Sequence, residues 1–206
     1  MNFLAHLYLS GNDTNLIIGN FIADMVKGGK INGFSKDIAD GIRLHRRIDG
    51  FTDAHPVVRQ SKIRLRGKYR LYAGVVVDMY YDHFLASAWP DFSHYPLDEF
   101  VDNAYRLLQN HLHMMPERAH YVLPHMIENN WLVGYANLNH LKRFFGGMAR
   151  RTPFESGMEM AVDDLEQDYQ LFEKEFRTFF PDLAHFVEQE GVSHDHHGVR
   201  LSMPDQ

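Results

Sequence analysis

The chain has 206 residues, 45% hydrophobic and 23% charged, the balance of one globular domain and not of a disordered chain. It has no cysteine, which excludes disulfides, thiolate metal sites and a cysteine nucleophile. Its net charge of −6 argues against a nucleic-acid binder, no apolar run nears the ~20 residues of a membrane span, and the opening MNFLAHLYLSGND lacks the basic and long apolar regions of a signal peptide. A cytoplasmic protein with no membrane span is expected.

Helical periodicity dominates, and no stretch alternates with period two. Asp13 and Thr14 cap a predicted helix running to about Lys27, stopped by Gly28 and Gly29. Ser35 caps a second, over about 36–50, and a third spans about 68–88, ending before Trp89-Pro90. Further helices are expected over about 97–113, 117–130, 137–148 and 153–179, and Pro181 is placed to open a short last one ending near Glu190. The segment from Gly191 has no apolar period and reads as a polar, flexible tail. The expected architecture is all-α: one compact helical bundle over residues 1–190, with a tail over 191–206.

Charge is unevenly spread. Arg59, Lys62, Arg64, Arg66, Lys68 and Arg70 follow one another with no acid between them, whereas Asp163, Asp164, Glu166, Asp168, Glu173 and Glu175 face only Lys174. The acidic run reads as a solvated helix face. The basic run is a candidate for docking an acidic partner.

The core-facing stripes of the early helices carry polar residues where apolar ones belong. Ile17, Phe21 and Asp24 share one stripe, with Asn20 on an adjoining one. Ile38, Ile42, His45 and Asp49 share another; Leu71, Val75, Asp78, Asp82 and Leu85 form a third, with His83 beside it. His6 lies between Leu4 and Leu7 in the apolar opening segment. An unpaired buried carboxylate costs several kcal/mol. Three consecutive helices with inward acid or imidazole therefore point to one shared site that supplies positive charge. A divalent cation held between helices would do so; the other source is a buried salt-bridge network using Arg43, Arg46 and Arg47. Oxygen and imidazole donors without sulfur suit Mn²⁺, Mg²⁺, Fe²⁺ or Zn²⁺, and a carboxylate-rich set favours Mn²⁺ or Mg²⁺. These residues indicate a hydrolytic metal site and leave its substrate open.

The same segments carry a resemblance. MNFLAHLYL, GNFIADMVKG at 19–28, GIRLHRRIDGFTD at 41–53, VVVDMYYDHFLA at 75–86, Trp131 to Tyr135 and GMARRTP at 147–153 resemble the acyl carrier protein phosphodiesterase family, in order, from Met1 to about Phe180. The resemblance implies hydrolysis of the phosphodiester joining 4′-phosphopantetheine to a serine of holo-acyl carrier protein. It also implies an all-helical, HD-like fold and dependence on a divalent metal, usually Mn²⁺. Carried over by motif, metal ligands are drawn from Asp24, His45, Asp49, Asp78 and Asp82, and the catalytic set is Asp24, His45, Asp78, His83 and Arg46. Arg46 or Arg47 would neutralise phosphate oxygens, and His83 or His45 would protonate the leaving serine oxygen. Asp53 and His55 would orient ligands or cap a turn. An adjacent His-Asp pair occurs only at His194-Asp195, so the choice among these ligands stays open. Acyl carrier proteins are acidic, which suits the Arg59–Arg70 segment as a docking surface. Phe51, Tyr69, Tyr72, Tyr80 and Tyr81 are candidates either for the pantetheine arm or for core packing. Two other readings are an HD-like phosphohydrolase of nucleotides or other small phosphoesters, and a non-catalytic helical protein that binds an acidic partner.

Overall fold

The computed structural model describes residues 1–192, and every regular element among them is helical. The all-α expectation holds. The tail with His194 and Asp195 lies outside the described residues.

The apolar opening segment is itself a short helix, α1 (Phe3–Tyr8), capped by the Asn2 side chain. Asp13 caps α2 (Thr14–Ile22), accepting from the amides of Asn15 and Leu16. The expected continuation to Lys27 is instead a tight 3₁₀ turn over Ala23–Met25. Ser35 caps α3 (Lys36–Ala54), which runs one turn beyond expectation. It stops at His55 because the following Pro56 disfavours helical backbone in the residue before it. That same proline opens α4 (Pro56–Tyr69), which carries the basic run.

The single helix expected over 68–88 is interrupted. Arg70 has φ +50°, which ends α4, and α5 (Ala73–Ser87) starts after a 3₁₀ turn. Leu71 sits in that turn and not on the predicted stripe, and it is 94% exposed. The next helices are α6 (Leu97–Asn110), α7 (Glu117–Glu128), α8 (Trp131–Gly134) and α9 (Leu138–Arg151). The long helix expected over 153–179 starts only at Ala161, after Pro153 and a left-handed Gly157, and it is two, α10 (Ala161–Gln167) and α11 (Tyr169–Gln189), which part at Asp168. Pro181 opens no new helix; it lies exposed within α11.

Nearly every residue of α5 from Val76 to Ala86 is buried, so this helix runs through the centre. It packs against α1, α4, α9 and α11. Tyr80 and Tyr81 lie edge-on to Phe172 and Phe176 of α11, at 5.1 and 5.6 Å between ring centroids. Tyr69 and Tyr80 donate hydroxyl hydrogen bonds to Asp164 and to the carbonyl of Ala161, Tyr81 bonds Ser61, and Phe51 stacks on Phe186. Of the aromatics singled out in the sequence, these four are core or core-edge residues and none lines the depression beside the site described below.

The expected solvated acidic run is also part of the packing. Glu175 pairs with Arg64, Asp164 with Lys68 and Asp163 with Lys142. Half of the basic run is thereby matched within the chain, since Lys62 pairs with Asp53.

The tightest contact is between α2 and α3, and two glycines make it possible. A Cβ on Gly19 would lie 2.1 Å from the carbonyl oxygen of Ile38, and one on Gly41 would lie 2.5 Å from that of Leu16. Both obstacles are backbone, which cannot rotate away. Gly19→Ala or Gly41→Ala should therefore destabilise the fold by about 2 kcal/mol or more, seen as a lower urea midpoint at unchanged m-value. A wild-type midpoint in both variants would show that the helices separate freely.

Candidate active site

The glycine crossing sets the residues beside it. Asn20 follows Gly19 on α2, and His45 lies one turn after Gly41 on α3. The Asn20 side chain is fully buried and donates to the carbonyl of His6 at 3.0 Å and to Ser10 Oγ at 2.8 Å. A carbonyl can only accept, so the amide orientation follows from it. Asn20 Oδ1 then faces His45 Nδ1 at 2.9 Å, and Nδ1 must carry a proton to donate. His45 Nε2 is left as the atom that faces the site.

Two carboxylates meet that atom. Asp49, one turn further along α3, is 3.2 Å from it, and Asp24, from the 3₁₀ turn after α2, is 3.3 Å away. Both are at ion-pair distance, yet neither completes a hydrogen bond of good geometry with Nε2. His6, from α1, stacks on His45 with ring centroids 3.9 Å apart and 15° between planes. Its Nε2 lies 3.2 Å from the other oxygen of Asp49, and its buried Nδ1 has no partner. The α-amino group of Met1 is 3.0 Å from Asp78 and 3.9 Å from Asp49.

The electrostatics follow from this convergence. Burial disfavours the imidazolium of His45, but Asp24 and Asp49 outweigh it and raise the pKa to about 9. His6 is driven the other way, to about 4, by burial and by the charge of His45 against its face. Asp49 is held well below the usual carboxylate range: burial alone would raise it, and the two histidines prevail. Asp24 is lowered by His45. The histidines form a floor, while the side chains of Asp49 and Asp24 are 41% and 75% exposed and form a mouth.

Of the residues singled out in the sequence, Asp24, His45, Asp49 and Asp78 come together here. Asp82 is close in the chain but engaged otherwise. It is completely buried, and its two oxygens accept the backbone amides of Asn2 and Leu4, at 3.1 and 2.8 Å. Asp82 thus ties the amino-terminal segment, with His6, to α5. Burial pushes its pKa up to about 7. His83 points elsewhere: its Nδ1 bonds the carbonyl of Tyr135 at 2.7 Å and its Nε2 the Tyr169 hydroxyl at 2.9 Å. Arg46 is exposed and reaches the carbonyl of Val26 at 3.4 Å, while Arg47 pairs with Glu190. Asp53 pairs with Lys62 and His55 with Asp182. Sequence reasoning noted His6 without assigning it to the site. The signal was present, as an imidazole between Leu4 and Leu7, but the helix that presents it was not predicted.

The donor set suits a divalent cation. Among the described residues, His6, His45 and Asp49 each offer one ligand atom, these atoms lying within 4.8 Å of one another. Two buried imidazole nitrogens there lack hydrogen-bond partners. The salt-bridge alternative fares worse. Arg43 pairs with Asp40, and neither Arg46 nor Arg47 reaches the cluster.

Comparison with known proteins gives a consistent result. A family model described as acyl carrier protein phosphodiesterase matches residues 1–183. A protein of that name from Photorhabdus laumondii is 37% identical over 182 residues, covering 88% of this chain and 92% of its own. Its namesakes from Yersinia enterocolitica and Escherichia coli are each 35% identical, covering 88% of this chain and 94% of theirs. No solved structure matches. The matched residues include the whole cluster, and the chain belongs to the acyl carrier protein phosphodiesterase family.

Proposed function

We propose that this protein hydrolyses the phosphodiester that joins 4′-phosphopantetheine to a serine of holo-acyl carrier protein, at the His6–His45–Asp49 cluster. The observation that carries the reading is the match over residues 1–183 to a family of that name. Relatives that share the name favour this substrate over a nucleotide or a purely structural partner. No helix among the described residues is long and apolar enough to cross a membrane, in keeping with a cytoplasmic enzyme acting on a protein substrate.

We assign a divalent cation, Mn²⁺ or Mg²⁺, to His6, His45 and Asp49, with Asp24 and Asp78 at its margin. Bound there, it would lower the pKa of a water and offset charge on phosphoryl oxygens. The chain's own residues do the positioning. Asn20 holds His45 in the tautomer whose Nε2 faces the carboxylates. Before a cation binds, His6 Nε2 lies 3.2 Å from Asp49, which stays ionised, and a cation between the two would take the place of that contact. Asp24 stands at the mouth, where an incoming phosphodiester passes. In the reaction, the water oxygen ends on phosphorus, the bond to serine breaks, and the serine oxygen gains a proton.

Incubated with this protein and Mn²⁺, holo-acyl carrier protein should lose the mass of 4′-phosphopantetheine, and EDTA should prevent the loss. His45→Ala and Asp49→Ala should abolish turnover while the helical circular dichroism persists. An unaltered carrier mass with the wild-type protein and Mn²⁺ would end the reading. The outer shell is separately testable: Asn20→Leu should lower metal affinity or activity by about 10- to 100-fold, and an unchanged enzyme would remove Asn20 from that role.

Cation binding should also depend on pH. In the ion-free protein His45 carries its proton up to about pH 9, and a cation must displace it, whereas His6, at about 4, is already neutral. Each ion bound near neutrality then releases one proton. Apparent Mn²⁺ affinity, titrated by electron paramagnetic resonance, should rise roughly tenfold per pH unit and level off above about pH 9. A flat profile between pH 6 and 8 would show that His45 is not a ligand.

A further inference from the structure

The mouth of the cluster opens into a larger feature. A depression of about 460 Å³ runs from Asp24 along Met25, Met79, Trp131 and Met148, with Arg118 and Arg151 on its walls. That volume falls in the range of small-molecule sites, and its mostly apolar lining with a few charged groups is their usual make-up. Through Trp131, Phe144 and Arg151 it continues into a second depression of about 680 Å³, walled by Arg143 and Arg150 of α9. Those two arginines also border a third, shallower one together with Lys142. The result is one trough, apolar beside the cluster and cationic at its far end.

On α4, Lys62, Arg64 and Lys68 are each matched by an acid; Arg59 and Arg66 are not, among the described residues, but neither lines the trough. Arg118, Arg143, Arg150 and Arg151 have no acidic partner among the described residues, and Arg151 bonds only the carbonyl of Gly147. Arg150 and Arg151 suit the last turn of α9 by complementing its dipole. That accounts for neither Arg143, two turns earlier, nor Arg118 on another helix. Besides Asp24 at the cluster, one acid, Glu128, stands on the trough's edge, exposed beside His125. Gly147 also lines the trough. A glycine inside a helix costs about 0.5–1 kcal/mol against alanine, and here it leaves the wall without a side chain.

We infer that this trough is the docking site of the carrier protein: the pantetheine arm lies in the apolar depression from Asp24 to Trp131, and the acidic carrier surface rests on Arg143 and Arg150 of α9. The inference rests on the hydrolase reading above. The substrate presents an arm, which needs a narrow apolar slot with hydrogen-bonding walls, and around its attachment an acidic protein surface, wider than the arm and able to overhang it, which needs unmatched positive charge. The trough offers both in one continuous surface.

The test compares charge reversals on the two basic helices, with holo-acyl carrier protein and Mn²⁺. Arg143→Glu/Arg150→Glu should raise KM for the carrier on the order of tenfold, leave kcat near wild type, and weaken the dependence of kcat/KM on salt. Arg151→Ala should weaken inhibition by free 4′-phosphopantetheine. Both substitutions are of exposed side chains, and helical circular dichroism checks that they fold. An unchanged KM in the α9 variant, or a larger rise in Arg59→Glu/Arg66→Glu on α4, would overturn the inference and leave the hydrolase reading standing. Wild-type protein that leaves the carrier's mass unaltered would overturn both.

Discussion

The site depends on a backbone contact. Where α2 crosses α3, Gly19 and Gly41 leave no room for a Cβ on either side. This closeness lets the short side chain of Asn20 reach His45, and it lets Asp24 and Asp49, on different segments, meet one imidazole nitrogen. A methyl group at the crossing would push the helices apart and lengthen the 2.9 Å contact between Asn20 and His45. The two glycines cost helix propensity, and the structure returns a buried amide that joins α1, α2 and α3.

That amide has a chemical consequence. His45 must donate through Nδ1, so its other nitrogen lies between two carboxylates, where it holds either a proton or a cation. The stacked His6 is kept neutral by its burial, and because a second imidazolium would face the first with ring centroids 3.9 Å apart. Without a bound ion one histidine is therefore a cation and the other a neutral base, although they stand side by side. Asp82 serves the same end indirectly, because its grip on the amides of Asn2 and Leu4 brings His6 to the cluster.

Charge is partitioned as carefully as polarity. The basic run on α4 and the acidic run around α10 and α11 look in the sequence like two independent surfaces. In the fold they face each other, and Arg64 and Lys68 are matched by Glu175 and Asp164. Four arginines on α7 and α9 have no acidic partner among the described residues, and they lie beside a depression that opens from the site. A dense run of like charge is thus a weaker indicator of a binding surface than charge without a counterpart.

Much was legible in one dimension. Helical period and caps such as Asp13 and Ser35 determined the class, and polar residues on apolar stripes pointed to Asp24, His45, Asp49 and Asp78. The motif order carried the family. Breaks at single residues were missed where two signals competed: Pro56 both ends α3 and opens α4, Arg70 adopts a backbone that its type does not announce, and Pro181 is accommodated inside α11. Which polar residues share a point could only be decided in three dimensions. Asp78, Asp82 and His83 are near neighbours on one helix, yet one meets the amino terminus, one caps two amides and one bonds Tyr135 and Tyr169. Sequence spacing sets the angle at which a side chain leaves its helix; its partner is set by whichever helix packs there, and that depends on contacts between residues far apart in the chain.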